Sequence, residues 1–412
     1  MKKRLSVMSF SLCIGIGGGF TGQALADDAT TTLKDWFAKS KIEGALKSYY
    51  FTQTFEGEGT NDSQIWANGG HLKYTTGKFY GVRLGGEFQA SFVGYIDDAD
   101  GKTAGSMDAD GAVLSEAYLQ YDFYNTRFKG GRQHYTSPLV ANSGSRLIKE
   151  AFEMYFLRNE DVPDTEITLG WVSKYQTRTD RSVYADNPFV DYETDGTGKP
   201  GDFYDVGDDG MWIVYLKNGS LKGLNIQAQF GSVVDEVQGF YADVKYTFDM
   251  DFKPFVAAQY YYSDWDDSTK DSNDLIGLKL GATFSGVDVF AGYTTAGGDE
   301  GEERVFRGLG QGAYYHYTAT TKTAGAGAFE AGTDAWQVGA GYGYKEFKGK
   351  LRFTSFDNPA DNADLDEWTL NLLYKFGGMF ENLTASIDFS ILNYENAQRD
   401  ATDLRSRLIY TF

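Results

Sequence analysis

Cysteine is almost absent from this sequence: of 412 residues only Cys13 is one. A disulfide scaffold and a thiolate metal site are therefore excluded. Basic residues are few, 38 Lys and Arg against 58 Asp and Glu, for a net charge of −20. A nucleic-acid partner needs a basic footprint, so none is expected. No apolar run approaches the roughly eighteen residues of a membrane helix, and the mean hydropathy is −0.42. A bundle of membrane helices is thereby excluded, but a membrane β-barrel is not. A barrel strand shows lipid only every second residue, so its average hydropathy looks soluble. Aromatic side chains, in contrast, make up 16% of the chain and glycines number 50. A chain so rich in residues that bury area is not disordered.

The first residues read as an export signal. Met1-Lys2-Lys3-Arg4 is basic, Leu5 to Phe20 is apolar, and Ala24-Leu25-Ala26 is a small-x-small cleavage site. Cys13 falls inside that leader and follows Leu12, which is too large for a lipoprotein site. The chain thus divides into a signal peptide (1–26), a short periplasmic segment (27–41) and a body (42–412). A large exported chain without disulfides needs another source of closure, and strand-to-strand closure of a barrel supplies one.

One unit recurs through the body: about ten residues of apolar–polar alternation bounded by turn residues. In Leu383-Thr384-Ala385-Ser386-Ile387-Asp388-Phe389-Ser390-Ile391 every odd position is apolar and every even one polar. Leu224, Ile226, Ala228 and Phe230 likewise oppose Asn225, Gln227 and Gln229, and Ala117, Leu119, Tyr121 and Phe123 oppose Glu116, Tyr118, Gln120 and Asp122. In a strand this period gives each set its own face. The pattern predicts eighteen strands between residues 42 and 412. Short connections such as Tyr124-Asn125 and Asp249-Met250-Asp251 alternate with long ones such as 136–148, 177–209 and 295–333. Short periplasmic turns and long outer loops are the grammar of an outer-membrane barrel. The fold class is therefore all-β: a transmembrane antiparallel up-and-down β-barrel in the outer membrane of a Gram-negative bacterium.

The acidic residues sit mostly in the long connections, where they read as solvated loops or as cation sites near lipopolysaccharide. Asp97 to Gly101 half-matches a calcium loop but lacks the later bidentate Glu. Tyr49, Tyr50, Phe51, Tyr260, Tyr261, Tyr262, Tyr342, Tyr344 and Tyr374 read as aromatic girdles. The last strand carries Leu404, Leu408, Tyr410 and the terminal Phe412 on one face.

The stretch Ser115-Glu116-Ala117-Tyr118-Leu119-Gln120-Tyr121, Thr126-Arg127-Phe128-Lys129-Gly130-Gly131-Arg132-Gln133, Ser137-Pro138-Leu139, Ser145-Arg146 and Phe152-Glu153 resembles the OprD-like family of outer-membrane substrate-selective porins. Leu72-Lys73-Tyr74-Thr75-Thr76-Gly77 looks like that family's early hairpin. The resemblance implies eighteen strands, a third outer loop folded inward as a constriction near 136–148, and passage of small, often carboxylate-bearing nutrients. It also implies a basic ladder that guides anions. The terminal Phe412 resembles the signature read by the outer-membrane assembly machinery. The sequence departs from the family at Gly144, where an acidic residue is usual.

A pore runs no reaction; it needs a constriction and a field. Strand parity turns Arg83, Glu87, Gln89, Glu116, Tyr118, Asp122, Lys174, Asp243, Lys245, Lys279, Asp288 and Asp388 inward. Arg352, Lys375, Arg405 and Arg407 join them as the candidate basic ladder, with pairing to Asp388, Glu116 or Asp122 as the alternative. Arg132 and Arg146, with Glu116 and Tyr118 near them, are the constriction candidates. If Arg132 faces in, Lys129 faces out. His71, His134 and His316 have no metal-ligand spacing and adjoin no nucleophile elbow, so no catalytic residue, metal or cofactor is expected. Lipid, lipopolysaccharide and a small solute are the expected partners, with the chain a monomer or a trimer. The rival reading is a secreted, soluble all-β binding protein or adhesin.

Overall fold

The computed structural model describes residues 29–57, 62–98, 110–178, 202–316, 318, 326–360 and 363–412. The leader expected over 1–26 lies outside them. Alternating side chains and tight turns build eighteen long strands. The first six are β1 (Lys41–Phe55), β2 (Ser63–Thr75), β3 (Val82–Asp98), β4 (Gly111–Phe123), β5 (Thr126–Gln133) and β6 (Ala151–Asn159). Next come β7 (Thr165–Gln176), β8 (Met211–Asn218), β9 (Leu224–Val233), β10 (Val237–Thr247), β11 (Phe255–Trp265) and β12 (Asn273–Phe284). The last are β13 (Val287–Ala296), β14 (Asp334–Tyr344), β15 (Phe347–Asp357), β16 (Leu365–Lys375), β17 (Leu383–Tyr394) and β18 (Ala401–Thr411).

Each strand pairs antiparallel with the next, and β18 returns to pair with β1 from Ala45↔Thr411 to Phe55↔Ala401. The barrel is closed and has no free edge. Closure matters because an unpaired backbone group has no partner in hydrocarbon. Hairpin turns at one end are tight: Ser285 and Gly286 both take positive φ, 49° and 85°. That two-residue geometry matches the twist of the flanking strands. The connections at the other end form the nine outer loops.

The predicted alternation appears as two faces. Leu278, Leu280 and Val256 stand 57%, 58% and 50% exposed on the outside, with Val214, Leu169 and Ile276. This belt, with Trp66, Trp212, Trp336, Trp368, Tyr342, Tyr344 and Tyr374 exposed along it, is a lipid-facing surface. Three of the expected girdle residues are not part of it. Tyr49, Phe51 and Tyr261 are buried inside, since they share parity with the inward Gln53 and Ser263. Among the described residues no helix is long and apolar enough to cross a membrane. The segment before β1 adds a short strand, Ala29–Thr30, and a helix, Leu33–Ala38, whose Trp36 stacks on Phe79.

The interior is uneven. From β6 to β12 its outer half is a packed apolar core in which Phe152, Met154, Tyr175, Ile213, Tyr241 and Tyr261 meet residues of three inward-folded loops. The third loop (134–150) contributes Leu139 and Val140, the fourth (177–210) Tyr204 and Val206, and the seventh (297–333) Val305, Phe306, Leu309 and Phe329. From β14 to β18 the inward residues at mid-depth are polar: Gln337, Arg352, Thr369, Asp388, Ser390 and Arg405. One side of the interior is thus filled by apolar side chains, and the other is lined by polar and charged ones.

Candidate functional site in the barrel interior

The third loop crosses the lumen and is tied to both walls. Leu139 N–H donates to Gln229 Oε1 of β9 at 2.9 Å. Lys149 N–H donates to Gln89 Oε1 of β3 at 2.9 Å, and Gln89 Nε2 returns to Lys149 O at 2.9 Å. On the polar side Arg407 Nε donates to Ser145 O at 3.0 Å and Lys47 Nζ to Leu147 O at 3.1 Å. The loop's base is pinned by Glu150, which accepts from Ser143 N–H (2.7 Å) and pairs with Arg178 of the fourth loop (3.2 Å). His134, at the other end of the loop, bonds Glu150 O through Nδ1 (2.7 Å).

The seventh loop docks onto the third. Leu309–Gly310 pairs in parallel with Val140–Ala141, and Leu309 N–H donates to Leu139 O at 2.9 Å. Glycine is required there. Gly308 and Gly310 have φ of 91° and 74°, and a Cβ on either would come within 2.2 Å of the Leu139 or Ala141 carbonyl oxygen. In the sequence Gly308-Leu309-Gly310 carries no nucleotide-loop context. Its glycines serve loop-to-loop contact, which no local pattern announces.

The constriction candidates part company. Glu116 is buried, ion-paired with Lys73, and accepts from His134 N–H at 3.1 Å. Tyr118 lies beside it on the inner wall, under Lys129 Nζ at 3.6 Å from the ring centroid. Arg146 sits in the third loop between the two carbonyls that Arg407 and Lys47 hold. Arg132, however, is on the outer side. It is registered against Ala117 and Glu153, pairs with Glu153 at 3.4 Å and stacks on Phe203 at 4.2 Å. Lys129 takes the inward position, so the fork posed by the sequence resolves against Arg132. Lys174 is a second correction. A bulge between Val172 and Lys174 reverses the parity of β7, and Lys174 pairs with Asp205 at 2.9 Å on that same outer rim.

All four ladder candidates project inward, but their surroundings differ. Arg407 Nη1 pairs with Asp388 Oδ2 at 2.6 Å and Arg405 Nε with Asp403 Oδ1 at 3.1 Å. Arg352 reaches Asn371, which donates to Asp388 Oδ1 at 2.6 Å. Lys375 is exposed at the inner end of β16 and has no ion pair among the described residues. Lys348 and Lys350 share the inward parity of Arg352, and Lys350 and Lys279 lie 4.6 and 4.8 Å from the Phe290 ring. Lys47 on β1 completes the row. The sequence reading omitted Lys47, Lys348 and Lys350, although the spacing 348, 350, 352 carries them.

One group has the makings of a cation site: atoms of Glu87, Glu116 and His134 lie within 4.8 Å of one another. The group is saturated from within. His134 Nε2 meets Glu87 Oε1 at 3.0 Å, Nδ1 meets Glu150 O, and Lys73 neutralises Glu116. Asp97 to Gly101, the half-match to a calcium loop, falls largely outside the described residues.

No family model and no curated protein matches the sequence. Solved structures do. OccK3 (OpdO) of Pseudomonas aeruginosa is 18% identical, with 92% of this chain and 97% of that one covered at a TM-score of 0.72. OccK9 (OpdG) of the same organism is 16% identical, with 92% and 99% covered at 0.76. A BenF-like porin from Pseudomonas fluorescens Pf-5 is 14% identical, with 92% and 99% covered at 0.72. The fold is that of the OprD-like outer-membrane porins. At these identities the likeness speaks for the fold. The closed OprD-like barrel and its lipid-facing belt belong in an outer membrane.

Proposed function

We propose that this chain is a porin: a passive channel for small hydrophilic solutes that favours anionic, carboxylate-bearing ones. The carrying observation is the split interior. One wall is a packed apolar core, and the other, from β14 through β18 to β1, presents Lys348, Lys350, Arg352, Lys375, Arg405, Arg407 and Lys47. A row of cations in a low-dielectric passage focuses field and lowers the barrier for an anion. Arg146 and Arg407, held where the third loop meets β18, together with Glu116 and Tyr118 across the loop, form the constriction in this reading. The pairing of Arg405 and Arg407 with Asp403 and Asp388 reduces their net field. Lys375, which has no ion pair among the described residues, keeps its full charge in this reading.

The same reading assigns lipopolysaccharide to the outer leaflet and the strand ending in Phe412 to the assembly machinery. Planar-bilayer recording of the full chain tests it. Discrete conductance steps with an anion-selective reversal potential in a salt gradient are expected, with uptake of small carboxylates. Absence of any conductance from a correctly folded barrel overturns the channel. A cation-selective potential overturns the preference alone.

A further inference from the structure

One stretch of the inner wall holds more cations than its carboxylates engage. On the inner face of β3, β4 and β5, between the third loop and the tight-turn end, each inward carboxylate already has a partner. Asp122 meets Lys78 at 3.0 Å and Arg127 at 2.7 Å, Glu116 meets Lys73, and Glu87 meets His134 at 3.0 Å. On the neighbouring β6 and β7, Arg158 meets Glu166 at 3.2 Å. Two inward cations are left over. Arg83 and Lys129 have no ion pair among the described residues, in a chain whose net charge is −20.

The two stand in one row. Arg83 is registered against Gln120 of β4, and Gln120 against Lys129 of β5. Gln120 is engaged elsewhere, since its Nε2 donates to both Asp122 oxygens at 3.0 Å. Tyr118 covers the row. Its ring lies over Gly85, where a Cβ would run into it, and Lys129 Nζ sits 3.6 Å from the ring centroid. The Tyr118 hydroxyl is thereby held over β3, one inward position from Arg83. Arg83 Nε is closed off from solvent and has no hydrogen-bond partner among the described residues. Arg83 begins two residues after the Gly81 turn, whereas the third loop is tied to Gln89, six residues further along β3. A solute that has passed the third loop meets this row next.

A charged donor left without an acceptor is costly, and a solute that brings an anionic oxygen removes the cost. A guanidinium presents a fork that fits a carboxylate or a phosphate, an ammonium adds a point charge, and a phenol adds a donor. A neutral solute brings no charge to meet the two cations. We propose that Arg83, Lys129 and the Tyr118 hydroxyl form a separate oxyanion-binding station at the tight-turn exit of the barrel. It takes the carboxylate or phosphate group of a solute that has cleared the third loop. The strands that build it carry none of the ladder cations. The proposal deepens the channel reading and rests on it for the solute's route, while the site itself stands on the local pairing of charges.

Planar-bilayer recording of the full-length chain in sodium phosphate and in sodium acetate tests it. A site that holds the permeating ion makes conductance level off as concentration rises, and the half-saturating concentration reads the binding. Arg83→Gln is expected to raise that concentration about tenfold for the oxyanion the site holds. Lys129→Gln should act in the same direction, and Arg83→Lys, which keeps the charge, should fall between Arg83→Gln and the parent. Lys222→Gln, an exposed lysine on a tight turn at the same end, should leave it unchanged. Conductance linear in concentration for both anions overturns the proposal. So does a half-saturation that Lys375→Gln moves and neither Arg83→Gln nor Lys129→Gln moves. A folded barrel that conducts nothing overturns the channel reading instead. Line broadening of the phosphorus resonance of inorganic phosphate on that barrel in detergent then reads the site alone. Broadening that Arg83→Gln abolishes supports the station, and broadening that is absent or unchanged by Arg83→Gln overturns it.

Discussion

Among the inward cations, Arg407 has the most to lose. It is shared between Asp388 and the Ser145 carbonyl, so it both sets charge and holds the third loop. Arg407→Gln is expected to lower anion preference and also to cost about 1–3 kcal/mol in folded stability, because Asp388 is left half-paired. Lys375→Gln, at an exposed site with no ion pair among the described residues, should lower anion preference by on the order of 1 kcal/mol or less, with stability unchanged. Reversal potentials and denaturant midpoints separate the two. Equal stability losses would refute the assignment. A second residue-scale effect concerns pH. Burial lowers the pKa of His316, in the seventh loop, from 6.5 to about 4. The docked loop resists a proton that an undocked loop takes up below about 6.5. Docking should therefore weaken as pH falls from about 6.5 to about 4, by at most about 3 kcal/mol. Open-channel noise should rise over that window in the parent protein and stay flat in His316→Gln.

At the scale of elements, two loops act as one. The third loop is fixed by Gln89, Gln229, Lys47 and Arg407, and the seventh is fixed to the third through Gly308 to Gly310. Gly308→Val puts a branched side chain into the Leu139 backbone at a positive φ. That strain is of order 1–3 kcal/mol and is relieved by undocking the seventh loop. A larger and noisier single-channel conductance is expected, with the barrel intact by circular dichroism. An unchanged conductance would show that the seventh loop does not border the passage. The sequence reading anticipated an inward third loop through its resemblance, but had no means to see the seventh. Loop docking is a contact between distant segments, and its only local trace is a pair of glycines that also suits an ordinary turn.

For the whole molecule, closure is the decisive property. Gly44 and Phe412 exchange backbone hydrogen bonds of 3.0 Å, and a Cβ at Gly44 would lie 2.6 Å from the Phe412 ring. Gly44→Val should therefore lower the yield of the closed barrel. The measurement is the fraction of chains that migrate faster before boiling than after it in SDS. The acidic surplus belongs to the whole as well: with 58 acidic residues against 38 basic ones, the cations of the polar wall work against the chain's own average charge. In the channel proposed above, selectivity depends on where charge sits and not on how much there is.

Alternation along the chain was enough to announce eighteen strands, two faces and closure, because a strand's period of two is local and survives in any environment. It also oriented Glu116, Tyr118, Arg352, Lys375, Arg405 and Arg407. Parity misled only where geometry intervened. The bulge in β7 turned Lys174 outward, and Gly130-Gly131 hid the face of Arg132. Which loops enter the lumen, which cations are neutralised by Asp388 and Asp403, and which wall is filled with apolar side chains were decided in three dimensions. Those outcomes depend on residues brought together from as far apart as Ser145 and Arg407, and sequence carries no record of a distance it does not span.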